Sequence, residues 1–289
     1  VRLLRGEYLV LIATVLAALG WVASKQVVSM MPAAQFIGGR FLLASILLVP
    51  FCWQVLRHCS SKVLLHAFGV GIVLGVHLLL WIYAVTLADG LGEGAFIMSL
   101  AMLFAPLLGW ALYRQPPSAA FWLALPLAMA GMALLSLSGG WQLDGSQGLF
   151  LVSALLLSLH FNLNKRLTVQ LPPLSAACVQ LLAVGLLSLT VAWALGATSH
   201  QMTSSGWGWF IAAAVLATSV RYVLQSAGQA RTDTGTAAVI MLIEPIWTLL
   251  FSVLLFDEAL TINKVGGGLL ILSALLLYRL RESRLLANA

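Results

Sequence analysis

Glu244 is the first residue of this chain whose chemistry needs an explanation. It lies inside an apolar run, and an ionised side chain at the centre of a membrane-length helix costs about 2.5–3.5 kcal/mol on insertion scales. Something must pair it, hydrate it or keep it protonated. Arg221 is the obvious partner. Read as antiparallel neighbouring helices, the two runs place Arg221 roughly 12 Å and Glu244 roughly 14 Å from the same end, at 1.5 Å per residue. The plainer reading is a structural ion pair. The functional one is a carboxylate that exchanges a proton or holds a substrate amine. Pro245 frees the carbonyl four residues earlier and invites a kink.

Other polar residues sit in equally apolar surroundings. Arg221, Tyr222, Gln225 and Gln229 share one broad helix face, because steps of three and four residues bring them into register. Such a stripe faces protein or a water-filled cavity, not lipid. Arg40 reads likewise, as a coupling or structural cation. His77 and Trp81 stand one turn apart, and His160 and Asn164 form a second such pair. His77 could bond a substrate carboxylate, titrate near neutral pH or simply be satisfied within the protein. Trp21 and Trp247 are candidates for further aromatic wall. The expected substrate-binding set is thus His77, Trp81, Trp21, His160, Asn164, Tyr222, Gln225 and Trp247. Glu244, Arg221 and Arg40 form the coupling or ion-pair set.

Catalytic signatures are missing. The sequence has no HExxH, GxSxG or GxxxxGK[ST] run, so neither zinc hydrolysis, an acyl-transfer elbow nor nucleotide drive is expected. Cys52, Cys59 and Cys178 have no metal-ligand spacing. No cofactor or metal is expected, and the chain does not read as an enzyme.

These residues need elements to position them. Of the 289 residues, 61% are apolar and 8% charged, against about a quarter charged in an ordinary soluble domain. Mean hydropathy is +1.02. Ten runs are long enough to span a bilayer: Tyr8–Val28, Ala33–Trp53, Leu65–Leu87, Gly92–Tyr113, Ala119–Leu137, Gln147–Lys165, Leu174–Leu195, Trp207–Gln229, Gly235–Phe256 and Ile262–Leu280. Turn chemistry separates them, as at Met31-Pro32, Gly139-Gly140, Pro172-Pro173 and Ser204-Ser205-Gly206. With both termini in the cytoplasm, eleven of the fifteen Lys and Arg fall inside and only Lys25 and Lys264 outside, a strong orientation signal that favours an even helix count. The same scatter excludes a nucleic-acid surface.

A shift of 140 residues aligns Lys25 with Lys165, Pro32 with Pro172 and Arg40 with Gln180. A shift of 139 aligns Pro106 with Pro245. Two five-helix halves, 1–140 and 141–289, follow. Because five is odd, the second enters the membrane inverted, a transporter architecture.

The motifs then carry a resemblance. Trp21, Pro32 with Arg40, and Pro106-Leu107-Leu108-Gly109-Trp110 stand in the first half. Leu224-Gln225, Gln229, Ile243-Glu244-Pro245 and Asp257-Glu258-Ala259-Leu260-Thr261 stand in the second. On these the chain resembles the EamA family of the drug/metabolite transporter superfamily over nearly its whole length. The resemblance implies ten helices in two inverted repeats, export of small metabolites such as amino acids, and a bacterial inner membrane. The first half departs from it at Arg114-Gln115-Pro116-Pro117, where the second has its acidic pair, and at Glu93. Asp257 and Glu258 read as capping or hydrating the turn after the ninth run. The expected function is a secondary transporter working by alternating access, with a small-molecule substrate, a lipid bilayer and either proton exchange or facilitated efflux. The alternatives are a non-transporting membrane subunit and a membrane-embedded enzyme.

Overall fold

The structure, a computed structural model, describes residues 6–114, 116–136, 145–197, 202–232 and 234–287. The described residues form ten helical passes and no strand. They are α1 Gly6–Val28, α2 Ala33–Leu56, α3 Ser61–Leu87, α4 Gly92–Tyr113, α5 Ala119–Ser136, α6 Gly145–Leu167, α7 Pro173–Ala194, α8 Ser204–Gln229, α9 (Thr234–Met241 with Glu244–Phe256) and α10 Ile262–Ala287. Among them, nine are long and apolar enough to cross a membrane, and α5 adds a shorter apolar run, Ala119–Leu134. The expected turn at Gly139-Gly140, and with it the boundary between the halves, lies outside the described residues.

Local chemistry sets the ends. Pro32 and Pro172 precede α2 and α7 at repeat-related positions, and each carbonyl accepts the first helical bond, from Phe36 at 2.9 Å and Ala176 at 3.0 Å. Ser60 caps α3 through the Val63 N–H. Ser204-Ser205-Gly206, expected to break the chain, instead forms the first turn of α8. Thr203 Oγ1 accepts from Gly206 N at 3.1 Å there and satisfies an otherwise free N–H.

Three passes are interrupted. In α4 the helix tightens at Leu100, whose N–H reaches the Ile97 carbonyl. In α9 it tightens at Leu242 and Ile243 and restarts at Glu244, because Pro245 has no N–H for the Met241 carbonyl. In α8, Val215–Val220 widens into a π-turn. Thr218 and Ser219 hydroxyls donate to the Ala213 and Ala214 carbonyls there, at 2.8 and 2.9 Å.

The helix contacts reproduce themselves when the halves are exchanged. α2 packs on α7 and α5 on α10; α1 on α8 answers α6 on α3; α1 on α9 answers α6 on α4. The α2–α7 pair is antiparallel, since Gly38 meets Leu189 while Gly185 meets Leu42. Repeat-related helices that run antiparallel place the two-fold axis in the membrane plane, as inverted repeats require. Arg114 and Asp257 end α4 and α9 in the same left-handed conformation, φ 55° and 53°. In the register of these caps Pro245 answers Met102, which corrects the expected alignment with Pro106. The outward surface is apolar, with Phe51, Leu65 and Trp193 more than two-thirds exposed, as lipid contact requires.

Candidate functional site

Eight of the ten passes enclose a cavity of about 720 Å³. The walls come from α1–α4 of the first half and α6–α9 of the second; α5 and α10 stand outside it. Toward one face its lining reaches Trp81 and Ala95, and toward the other it continues to the α6–α7 turn at Thr168–Leu171 and to Gln229 at the end of α8. No described lining residue comes from the loops at the opposite face.

Arg40 is the most tightly held of the charged groups here. It is 6% exposed, donates from Nε to Thr218 Oγ1 at 2.9 Å and from Nη1 to Ser24 Oγ at 2.9 Å, and lies beside the Phe36 and Phe41 rings. Two local devices make room for it. The π-turn presents Thr218, and Gly20 leaves out a Cβ that would stand 3.0 Å from Nη2. At the related position of the second half, Gln180 donates to Asn164 Oδ1 at 2.6 Å and accepts from His160 Nε2 at 3.0 Å. A guanidinium on one side is thus matched by a neutral network on the other. Thr218→Val keeps the shape and removes the hydroxyl. It is expected to destabilise the protein by about 1–3 kcal/mol, because a buried Arg40 N–H and the Ala213 carbonyl lose their partner. Thermal unfolding in detergent measures it, with Thr218→Ser as the variant that restores stability.

The structure brings Trp21, Arg40, His77, Trp81, His160, Asn164, Arg221, Tyr222, Gln225 and Glu244 to one cavity. His77 Nδ1 is bonded to Ser153 Oγ at 2.8 Å and lies 3.0 Å from its carbonyl oxygen, so the imidazole also ties α3 to α6. Trp21 and Trp81 meet edge to face at 4.9 Å.

Two expectations need correction. Arg221 and Glu244 share the cavity but form no ion pair: among the described residues, the salt bridges join only Lys264 to Glu93 and Glu258. Glu244 accepts a long bond from Trp21 Nε1, 3.4 Å, and the Arg221 guanidinium turns over the Tyr222 ring at 4.9 Å. Matching depth does bring both residues to one cavity, but it does not fix where a long side chain ends, and here the guanidinium lies over the neighbouring ring. Trp247 does not line the cavity. Thr248 is fully buried, its hydroxyl bonded to the Glu244 carbonyl, while Ile246 is 46% exposed. Trp247 lies between these faces, a step around the helix from the inward one.

A polar cluster at the face opposite the cavity mouth was not among the expected sites. Lys264 Nζ bridges Glu93 at 3.1 Å and Glu258 at 3.2 Å. Glu258, read from sequence as capping or hydrating its own turn, is 8% exposed and caps the start of α4 instead, its Oε2 accepting from the N–H groups of Leu91 and Gly92 at 2.9 and 3.0 Å. Gln147 Nε2 donates to Glu93 at 2.8 Å. The cluster joins the start of α4 to the starts of α6 and α10. Its sequence signal is thin: Lys264 is one of only two cations expected on that side, and Glu93 an acid where a neutral residue is expected.

The cavity therefore has the form of a solute site between inverted halves, closed at one face by ion pairs. Known proteins agree with that architecture. A solved structure described as "Crystal structure of protein" superposes with a TM-score of 0.67 at 17% identity, over 97% of this chain and 98% of that one; at that identity the likeness concerns the fold. No curated protein matches the sequence. The model of the EamA-like transporter family matches twice, at residues 4–137 and 147–280. Two matches spanning nearly the whole chain, one to each half of an inverted ten-helix fold, mean that the chain belongs to the EamA-like transporter family of the drug/metabolite transporter superfamily, as a multi-pass membrane transporter.

Proposed function

We propose that this protein is a secondary transporter that exports small metabolites, amino acids foremost, across a bacterial inner membrane. The two halves, 1–140 and 141–289, rock about the cavity and expose it to one side at a time. The observation that carries this reading is that Glu244 and Arg221 face one cavity without pairing. A zwitterion satisfies both at once, with its ammonium on Glu244, and Trp21 and Trp81 offer an aromatic wall to its body. The cation count puts the cavity mouth, near Gln229 and the α6–α7 turn, on the cytoplasmic side, where an exporter loads.

Glu244 also supplies a route to proton coupling. A carboxylate that holds either a proton or the substrate ammonium makes the two compete, and competition at one site is sufficient for exchange. In proteoliposomes, an inward proton gradient is expected to accelerate amino-acid efflux from the wild type. Glu244→Gln is expected to lose that acceleration and to bind the amino acid roughly tenfold more weakly, the worth of one charge-assisted hydrogen bond. Wild-type flux indifferent to the gradient sinks the exchange reading, and no amino-acid flux under any gradient sinks the substrate class.

A further inference from the structure

The charges around the cavity do not balance. Arg40, Arg221 and Lys165 line it, and Glu244 is the one acid among the described lining residues. Arg221 lies close enough to feel the charge of both Arg40 and Glu244, although no ion pair forms with the carboxylate. Each guanidinium is left with unused donor capacity. Arg40 spends Nε and Nη1 on two neutral hydroxyls, and its Nη2 lies over Gly20, itself a lining residue. Arg221 Nε is buried with no acceptor among the described residues. Buried guanidiniums are normally met by carboxylate or phosphate oxygens, which match their planar fork. Here the protein holds two of them beside a cavity, with neither in an ion pair.

We infer that the cavity takes its substrate by a carboxylate seated on Arg40 and Arg221, so that organic anions and carboxylate-bearing zwitterions are admitted while amines without a carboxylate are refused. The inference rests on the cavity being the transport site, and it adds the group that is recognised and the residues that recognise it. Gly20 and the π-turn serve this end by fixing Arg40 with one edge toward the solute. In the inverted half, the same place is neutral, with Gln180, Asn164 and His160 bonded to one another. The carboxylate is therefore held off the pseudo-two-fold axis, and the solute has one preferred orientation. The apolar end is left to Trp21, Trp81 and Phe161.

Three probes of one skeleton test this: 3-phenylpropionate, L-phenylalanine and L-phenylalaninamide, titrated onto the full chain in nanodiscs by calorimetry. The two carboxylates are expected to bind and the amide to bind at least tenfold more weakly. Arg221→Gln removes no hydrogen bond described in the resting protein, and it is expected to weaken both carboxylates about ten- to a hundredfold. Arg40→Lys keeps a cation but loses the fork, and is expected to fall between. Equal binding by the amide, no binding by either carboxylate at millimolar concentration, or an Arg221→Gln variant with unchanged affinity overturns the inference. Failure of the transport reading looks different: the carboxylates bind in nanodiscs, yet proteoliposomes show no flux of either. Conversely, flux of an amine that neither carboxylate inhibits leaves transport standing and removes the carboxylate site.

Discussion

Replacing Lys264 with alanine is expected to open the protein at the face opposite the cavity mouth. Lys264 is the cation between Glu93 and Glu258, and the three side chains are only 17%, 20% and 2% exposed. Without it, two carboxylates remain in one partly dehydrated place. Removing one partner from a buried ion pair costs about 3–5 kcal/mol, and partial hydration of this cluster lowers that to about 2–3 kcal/mol. The protein relieves the repulsion most readily by separating the elements that carry the acids, which are the start of α4 and the α9–α10 loop. Because 1.4 kcal/mol is a tenfold change in population, the outward-open form gains about thirty- to a hundred-and-fortyfold. The measurement is labelling of Ser99→Cys, in the cavity lining, with a membrane-impermeant maleimide added from the outer side, in a background where Cys52, Cys59 and Cys178 are replaced. Lys264→Ala raises the labelling rate at least tenfold. Lys264→Gln with Glu258→Gln brings it back down, because the amide still accepts from Leu91 and Gly92 while the repulsion is gone. Equal labelling with and without Lys264 means that the cluster does not hold this face shut.

This latch shows which features the sequence made legible. Ten passes could be read because length and apolarity are what a bilayer demands, and Pro32 and Pro172 mark ends by local chemistry alone. The interruptions were harder. α4 and α9 remain apolar through Leu100 and Leu242, so hydropathy runs straight across both breaks; only Pro245 pointed to one of them. The π-turn of α8 contains no Gly or Pro. Its trace is the adjacent hydroxyls of Thr218 and Ser219, and these mean something only once the freed carbonyls are seen. The polar residues of the cavity were legible for a simple reason: groups such as Arg40, His77 and Glu244 have nowhere else to go inside an apolar helix. Trp247 was chosen by residue type alone, and type does not say which way a side chain faces. The Arg221–Glu244 pair was inferred from depth. Depth brings two residues to one level of the cavity, but it does not say where a long side chain ends, and Arg221 turns over Tyr222. Glu93, Glu258 and Lys264 lie at helix ends, where charge is ordinary, so their meeting carried no signal until the chain was folded.

The second large effect is expected at Gly185, in the contact between the two halves. α2 and α7 cross with a reciprocal fit, Leu189 over Gly38 and Leu42 over Gly185. A Cβ at Gly185 would stand 2.9–3.0 Å from the Leu42 backbone nitrogen, Cα and Cβ. A flexible side chain can move aside, but backbone within a helix cannot, so the helices must part. Between membrane helices no hydrophobic drive restores the lost fit, because lipid is as apolar as leucine, and close packing is the main attraction. Gly185→Leu is therefore expected to destabilise the fold by about 2–3 kcal/mol, at the upper end for overpacking. Gly69 is the control, since nothing lies within 4 Å of a Cβ built there, and Gly69→Leu should unfold like the wild type. Thermal unfolding in one detergent compares them. The outcome bears on mechanism as well as stability. If α2 and α7 form the fixed contact about which the halves rock, a leucine at Gly185 abolishes flux even in the fraction that stays folded. If the halves separate there during transport, the folded fraction keeps its flux, and the pivot must be sought instead where α4 meets α9.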